Sequence, residues 1–368
     1  MAPDDFEKKT RRLIPLLSDL FVVDGTYRHG DRLVLSMRYR FDPPQSRKLI
    51  ADRLRLAGYD YKMQDNDAIL VIDVDPRAKL RVPRLNVILF VLTLVSVYFV
   101  PVLFRNLGAA GSFRQILANT LHDLGQGAGI TFTIAMISIL FVHEMGHYVA
   151  SRRRGIITSW PYFIPAPNII GTFGAVIKSK SPFWNRRDLI EVGAAGPIAG
   201  WIVALGWLIY GLSQSTLVPD HVFTTRFLSF YLDGESVLMR FLATLLVGAP
   251  TPGMSYFLTE AAFAGWVGLL VTAINLLPIG QLDGGHIVYG LARRSQLAFG
   301  YVAMGALLLL GFQSPLWWFF AAFGLVFGVK HPPTLNDTKE LSRPALVMGI
   351  AAIVIFVLSF TPVPFRAP

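Results

Sequence analysis

The chain of 368 residues contains no cysteine. This absence excludes a disulfide scaffold, thiolate metal sites, iron–sulfur clusters and cysteine nucleophiles. Charge is also scarce, because only 16% of the residues are Asp, Glu, Lys or Arg, whereas 53% are hydrophobic. The mean hydropathy of +0.49 is too high for an ordinary soluble enzyme, a disordered chain or a fibrous protein. These features indicate an integral membrane protein.

The charge that is present is concentrated at the N-terminus, where the first 84 residues carry more than half of it. Alternating hydrophobicity over 33–41 predicts a strand, Pro43-Pro44 opens a predicted helix, and 68–74 predicts a second strand. A further helix is predicted over 11–20. We therefore expect a small soluble α+β domain over 1–82, to which the sequence assigns no role, and a membrane-embedded domain over 83–368.

Seven apolar runs follow residue 83 and are candidate membrane spans. They cover 86–104, 127–150, 189–212, 255–279, 296–312, 316–329 and 345–360. The sixth run is short enough to be a tilted or partial span. A weaker run over 237–247, interrupted by Arg240, predicts an interfacial helix. The expected fold class is an α-helical polytopic membrane protein with about six or seven transmembrane helices and a small N-terminal α+β domain.

Basic residues set the predicted orientation in the membrane. Segment 151–188 carries seven Lys and Arg residues, whereas 105–126 and 213–254 carry two each. Because cytoplasmic loops are enriched in basic residues, we expect 151–188 and the N-terminal domain to be cytoplasmic. The net charge of +10 is not read as a nucleic-acid surface, because the basic residues flank apolar runs.

The second predicted span ends in His143-Glu144-Met145-Gly146-His147, an HExxH pattern. On a helix, residues i and i+4 differ by about 40° in direction, so both imidazoles can bind one Zn²⁺. Glu144 is then placed to accept a proton from a water activated by the metal. The alternative is a pair of histidines that cap a helix at the membrane interface. The end of an apolar run favours the metal site, since ionisable side chains there are costly and usually functional.

A catalytic zinc ion needs a third protein ligand and an open position. Asp283 is our candidate, because it follows the fourth span in a segment broken by Pro278 and by Gly284-Gly285. The second and fourth spans are both predicted to run toward the cytoplasm, so His143 and Asp283 would reach the same depth. A plain Asp-Gly-Gly turn between two spans is the alternative.

The HEMGH motif at the end of one span and the pattern N-x-x-P-x-x-x-x-D-G-G at the end of a later one resemble the site-2 intramembrane zinc metalloprotease family. The resemblance covers most of 127–290, the expected catalytic core. It implies that His143, His147 and Asp283 hold zinc and that Glu144 is the general base. It also implies that Asn275 helps to position or polarise the peptide carbonyl.

The function implied by this resemblance is an intramembrane zinc-dependent endopeptidase. Its expected partners are a transmembrane protein or peptide substrate and the lipid bilayer, with no nucleic acid; the sequence predicts no oligomeric state. The expected location is a bacterial plasma (inner) membrane, with a plastid membrane as the alternative because the family has chloroplast members. A different class of function, a membrane metal transporter or a non-proteolytic metal-binding scaffold, would use the same ligands without hydrolysis.

The run 171–175 and His286 each have two possible interpretations. The run 171–175 resembles a family loop beside which an extended substrate could pair, and a plain re-entrant turn is the alternative. His286 either orients Asp283 by contacting it without binding the metal, or is a solvated loop histidine.

Overall fold

The computed structural model describes residues 10–365, except for 12, 30–31, 58, 60, 65–68, 74–81, 108–111, 155, 157, 180–182, 184, 221–234, 335–336 and 338–339. The chain divides into two compact units. The first comprises Met1–Val82, Ser151–Ser159 and Ser179–Pro182, and the second comprises Pro83–Ala150, Trp160–Lys178 and Phe183–Pro368.

The first unit contains a four-stranded antiparallel sheet with one described helix between its hairpins. In chain order its elements are β1 (Phe21–His29), β2 (Arg32–Tyr39), α1 (Pro43–Leu56), β3 (Tyr61–Gln64) and β4 (Ile69–Asp73). The order across the sheet is β1-β2-β4-β3. Apolar side chains of β2, α1 and β4 form its core, including Leu33, Leu35, Ile50, Leu54 and Ile72.

The predicted strands over 33–41 and 68–74 are present as β2 and β4, and the helix predicted from Pro43 is α1. The sequence did not predict β1 or β3. In β1 the pairing register shifts between Val23 and Gly25, so the alternation that marks a strand is interrupted at that point.

The second unit is mostly helical. Its helices are α2 (Arg84–Leu107), α3 (Phe113–Gly125), α4 (Ile130–Arg153), α5 (Arg186–Leu212), α6 (Val237–Leu246), α7 (Glu260–Asn275), α8 (Asp283–Ala292), α9 (Gln296–Leu310), α10 (Leu316–Phe327) and α11 (Arg343–Ser359). It also contains two short hairpins, formed by β5 (Tyr162–Pro165) with β6 (Thr172–Val176) and by β7 (Thr216–Pro219) with β8 (Met254–Phe257).

Three of these helices, among the residues described, are long and apolar enough to cross a membrane: α2, α4 and α5. At about 1.5 Å per residue they exceed the bilayer's apolar core of about 30 Å. Helices α6, α7, α9, α10 and α11 are apolar but shorter, with 10–17 residues. Large apolar side chains are exposed along α2, α9, α10 and α11, as a lipid environment requires.

The fourth predicted span, 255–279, was wrong at both ends. Met254–Phe257 is a strand that pairs with β7, and Thr259 caps the helix by accepting a hydrogen bond from the backbone N–H of Ala262. The helix ends at Asn275, three residues before Pro278, which has no N–H to continue the ladder. Hydropathy alone missed these boundaries because Tyr256, Phe257 and Leu258 before the helix and Leu276 and Leu277 after it continue the apolar run.

Helices α5 and α7 form the centre of the second unit, and small residues let their backbones approach closely. A Cβ atom on Gly265 would lie 2.5 Å from the backbone nitrogen of Leu208. A Cβ atom on Gly268 would lie 2.7 Å from the side chain of Ala204. This close packing fixes the position of α7, which ends at Asn275 and leads into the loop that carries Asp283.

The β5–β6 hairpin is held by α2. The Asn86 side chain donates to the backbone oxygens of Trp160 and Pro161 at 3.1 and 2.8 Å, and Ser96 donates to Ala166 at 3.2 Å. The predicted run 171–175 therefore lies mainly in a strand, β6.

Candidate metal centre

Three predicted ligands from two separate helices meet at one point. His143 and His147 lie on α4, and Asp283 is the first residue of α8. The carboxylate Oδ2 of Asp283 lies 3.5 Å from Nε2 of His143 and 3.2 Å from Nε2 of His147. The two Nε2 atoms are 3.2 Å apart. All three side chains are largely buried.

These distances fit a zinc site. A tetrahedral zinc ion holds nitrogen and oxygen ligands at about 2.0–2.1 Å, which places the ligand atoms about 3.3 Å from one another. The three measured separations, 3.2, 3.2 and 3.5 Å, thus match one face of such a tetrahedron. Two imidazoles and one carboxylate are also a donor set that zinc accepts.

A backbone carbonyl orients the second imidazole. Nδ1 of His147 lies 2.8 Å from the carbonyl oxygen of Val192 on α5, so Nδ1 carries the hydrogen and donates it. Nε2 is then left with its lone pair facing Asp283 and His143. No sequence signal marked Val192, because any residue type offers a carbonyl there.

Glycines of α5 make room for the imidazoles. A Cβ atom on Gly196 would collide with the His147 ring, and one on Gly200 would lie 2.8 Å from Cβ of His143. The small-residue run in this helix therefore allows the two rings to lie against its backbone.

Glycines also shape the loop that carries Asp283. A Cβ atom on Gly284 would collide with the carbonyl oxygen of Leu276, and one on Gly285 with that of Gly280. Gly280 itself has a positive φ of 52° and donates its N–H to the carbonyl of Val329 at 3.0 Å. The loop folds tightly back on the end of α7, and this brings Asp283 to the histidines.

The predicted general base and the predicted amide donor lie beside the ligands. Glu144 is 5% exposed and lies close enough to His143, His147 and Asp283 to interact electrostatically with all three. Nδ2 of Asn275, the last residue of α7, lies 3.4 Å from Nε2 of His143.

His286 takes neither of the two predicted roles. It is part-buried, and its Nδ1 lies 2.6 Å from Nε2 of His331, so its hydrogen bond goes to a histidine 45 residues away and not to Asp283. Burial lowers the pKa of His331 to about 4, so its ring is neutral at ordinary pH. The backbone N–H of His331 donates to Gln296 at 3.2 Å. The segment around His331 thus contacts α8 through His286, and the sequence did not predict this contact.

A family model described as Peptidase family M50 matches residues 131–311, the segment that carries His143, Glu144, His147, Asn275 and Asp283. Residues 131–311 belong to this family. The predicted resemblance to the site-2 protease family is thereby confirmed. The M50 match begins in α4 and ends just after α9, so it includes both helices that supply the three candidate ligands.

Curated relatives of this M50 segment are named as zinc metalloproteases. "Probable zinc metalloprotease EGY1, chloroplastic" of Arabidopsis thaliana is 33% identical over 244 residues, which cover 64% of this chain and 43% of the relative. "Probable zinc metalloprotease EGY2, chloroplastic" of Oryza sativa subsp. indica is 30% identical over 247 residues, with the same coverage. The chain spans less than half the length of these relatives. No solved structure matches the chain.

At the level of the family, these findings support the predicted enzyme class, a zinc metallopeptidase, and the predicted cofactor, zinc. The apolar helices are consistent with a membrane protein. The relatives are chloroplast proteins of plants by name, whereas the sequence favoured a bacterial plasma membrane.

Proposed function

We propose that this protein is an intramembrane zinc-dependent endopeptidase that hydrolyses a peptide bond within or near a transmembrane segment of another protein. The observation that carries the proposal is the triangle formed by two Nε2 atoms and one carboxylate oxygen, with sides of 3.2, 3.2 and 3.5 Å. A buried glutamate, Glu144, lies beside it. A metal-storage site has no need for such a base, whereas hydrolysis does.

His143, His147 and Asp283 would hold the zinc ion, which would supply Lewis acidity to polarise a peptide carbonyl. The carboxylate of Glu144 accepts a proton from the attacking water while the water oxygen forms a bond to the carbonyl carbon. The same carboxylate then gives the proton to the departing amine nitrogen as the C–N bond breaks. Nδ2 of Asn275 donates a hydrogen bond to the oxygen on which negative charge develops.

The substrate segment must be unwound before it is cut, because the backbone hydrogen bonds of a helix in lipid are internally satisfied. Strand β6 offers a place for the unwound segment. It pairs with β5 on one side, and α2 packs chiefly against β5, which leaves the other edge of β6 open among the described residues. Phe173 on β6 is 65% exposed and is available for contact with an apolar substrate. We propose that the substrate adds to this edge as an extended strand.

We propose that the protein has six or seven membrane spans. Three of them are α2, α4 and α5, and the shorter apolar helices supply the others. Helices of 15–17 residues can span a bilayer through local thinning of the lipid or snorkelling of their flanking residues. The N-terminal unit is proposed to be a separate soluble domain on the cytoplasmic side. A bacterial plasma membrane remains our first proposal for its location, and the names of the relatives favour a plastid membrane as the alternative.

The decisive experiment compares the wild type with Glu144→Gln in cells that express the full chain. Because a positioned base contributes about 10²–10⁴-fold to the rate, we expect peptide fragments of membrane proteins with the wild type and a loss of at least about 100-fold with the variant. The purified variant should retain its zinc, because the side chain of residue 144 is not one of the three proposed ligands. Glu340→Gln, at an exposed position, is the matched control and should cleave like the wild type.

The same experiment separates the alternative functions. A metal transporter would move zinc across vesicle membranes with either residue at position 144 and would give no fragments in either case. A scaffold would bind zinc with neither transport nor cleavage. Either pattern would contradict the peptidase proposal, even though both would leave the zinc site intact.

A further inference from the structure

A cavity lined by arginines lies at the end of α8 opposite Asp283. Its volume is about 370 Å³, and its lining residues come from the start of α5, the α8–α9 junction and the segment after α10. They are Arg186, Ala292, Arg293, Arg294, Ser295 and Asp337. We name this cavity the arginine pocket. The proposed peptidase chemistry makes no use of it.

The pocket has a net positive charge. Asp337 is the one carboxylate among the lining residues that the structure describes, and it accepts hydrogen bonds from Thr334 at 2.6 Å, Tyr289 at 2.7 Å and Arg293 at 3.2 Å. Burial acts to raise the pKa of Asp337, but these hydrogen bonds outweigh it and hold the pKa below its ordinary value. Asp337 therefore stays ionised, and one negative charge faces three guanidinium groups.

Two of the three guanidinium groups have partners within the protein. Arg186 donates to the carbonyl of Gly290 at 3.3 Å, and Arg293 pairs with Asp337. Arg294 is exposed and makes no ion pair or hydrogen bond with any residue that the structure describes. Arg186 also occupies the first position of α5, where the helix dipole disfavours a cation. A site built for an anion explains why these charges converge.

The start of α9 adds further hydrogen-bond donors to the same pocket. Ser295 precedes this helix and lines the cavity, and its side chain makes no capping hydrogen bond. The first backbone N–H groups of α9 thus have no side-chain cap from Ser295, and the helix dipole directs positive charge toward the cavity. Guanidinium forks and the backbone N–H groups of a helix N-terminus are donors that recognise phosphate oxygens.

Exposed apolar side chains that follow Ser295 in the chain favour a lipid as the source of the phosphate. Leu297 and Phe299, on the first turn of α9, are 38% and 50% exposed. A free anion does not need such neighbours, whereas the acyl chains of a lipid do. We propose that the arginine pocket binds the phosphate group of an anionic phospholipid at the membrane surface. The proposal requires the protein to lie in a membrane but does not depend on peptidase activity.

Lipid binding to the full chain, purified with zinc, tests this proposal. The protein is placed in nanodiscs of phosphatidylcholine with or without phosphatidylglycerol, and the retained lipid is measured by native mass spectrometry. We expect selective retention of phosphatidylglycerol by the wild type and about tenfold weaker retention by Arg294→Gln, the effect of losing one charge-assisted hydrogen bond. Arg294 is exposed, so this variant should fold. Arg114→Gln, at an exposed arginine outside the pocket, is the control and should bind like the wild type.

Two outcomes would overturn the proposal. Equal retention of phosphatidylglycerol by the wild type and Arg294→Gln would show that the pocket does not bind the lipid. A thermal stabilisation by inorganic phosphate alone that equals the effect of phosphatidylglycerol, and that Arg294→Gln abolishes, would assign the pocket to a soluble phosphate. Neither measurement involves peptide cleavage, so a failed peptidase assay leaves both results interpretable.

Discussion

Asp283 and Asn275 lie within a few ångströms of the same histidine, yet we propose different roles for them. Asp283→Ala removes one of three ligand atoms, so we expect the zinc content of the purified protein to fall at least about tenfold. Asn275→Ala removes only a donor, so zinc should remain while the cleavage rate falls about 10²–10³-fold. Zinc analysis and a cleavage assay on the same preparations distinguish the two. Loss of zinc from Asn275→Ala would contradict our assignment of this residue.

The residues that carry the candidate site could be predicted, because their side chains have specific chemistry. His143 and His147 lie in the second predicted span, Asp283 follows the fourth, and the structure brings these three possible zinc ligands together. The zinc itself remains a prediction for these residues. The carbonyl of Val192 and the pairing of His286 with His331 could not be predicted. They depend on contacts between segments 45 residues apart, and a backbone carbonyl leaves no trace in the sequence.

At the scale of the element, the contact between α4 and α5 depends on glycines of α5, because a side chain at these positions would meet the histidine rings of α4. We expect Gly196→Ala to displace the His147 ring and to reduce zinc binding strongly, because the new methyl group would occupy the position of the ring. Gly206→Ala is the matched control on the same helix, since a Cβ atom there meets nothing within 4 Å. It should retain zinc and gain up to about 1 kcal/mol of stability from helix propensity.

Zinc content and thermal denaturation of the two variants check this prediction. If Gly196→Ala binds zinc as well as Gly206→Ala does, the imidazole is not held against α5 as described.

A second contact between elements joins the first turn of α7 to the start of α4. The Glu260 carboxylate, in the first turn of α7, accepts hydrogen bonds from the backbone N–H groups of Gly129 at 2.8 Å and Phe132 at 3.4 Å. It thus caps the start of α4 from a neighbouring helix. We expect Glu260→Ala to lower the free energy of unfolding by about 1–2 kcal/mol and Glu260→Gln to lower it less.

Thermal denaturation of the full chain in detergent measures this effect, with the exposed Glu340→Ala as the control. An unchanged melting temperature for Glu260→Ala would mean that the cap contributes nothing to stability.

Helices were the more predictable elements, and short strands were the less predictable ones. The helix bounds of α2, α5, α9 and α11 lie within a few residues of the predicted spans, because long apolar runs leave few alternatives. Most of strand β8 was hidden in a predicted span, since a run as short as Met254–Phe257 carries too few residues to distinguish a strand from a helix. Its identity depends on pairing with β7, 35 or more residues earlier in the chain.

At the scale of the whole molecule, the site requires α4 and α7 to run in the same direction across the membrane. His143 and Asn275 lie toward the C-terminal ends of these helices, and Nδ2 of Asn275 approaches Nε2 of His143 to 3.4 Å. The predicted topology meets this requirement, because one return span, α5, separates α4 from α7. The chain must therefore cross the membrane an even number of times between the C-terminal end of α4 and the C-terminal end of α7. This holds whatever the total number of spans.

The complete topology can be tested with single cysteines, because the chain has none of its own. With seven spans and a cytoplasmic N-terminal unit, Gln45→Cys and Glu340→Cys should be labelled from the cytoplasmic side by a membrane-impermeant maleimide. Ser213→Cys and Gln313→Cys should be labelled from the opposite side only. All four positions are exposed, so folding should not prevent labelling. Labelling of residues 213 and 340 from the same side would contradict the seven-span proposal, because three spans are proposed to lie between them.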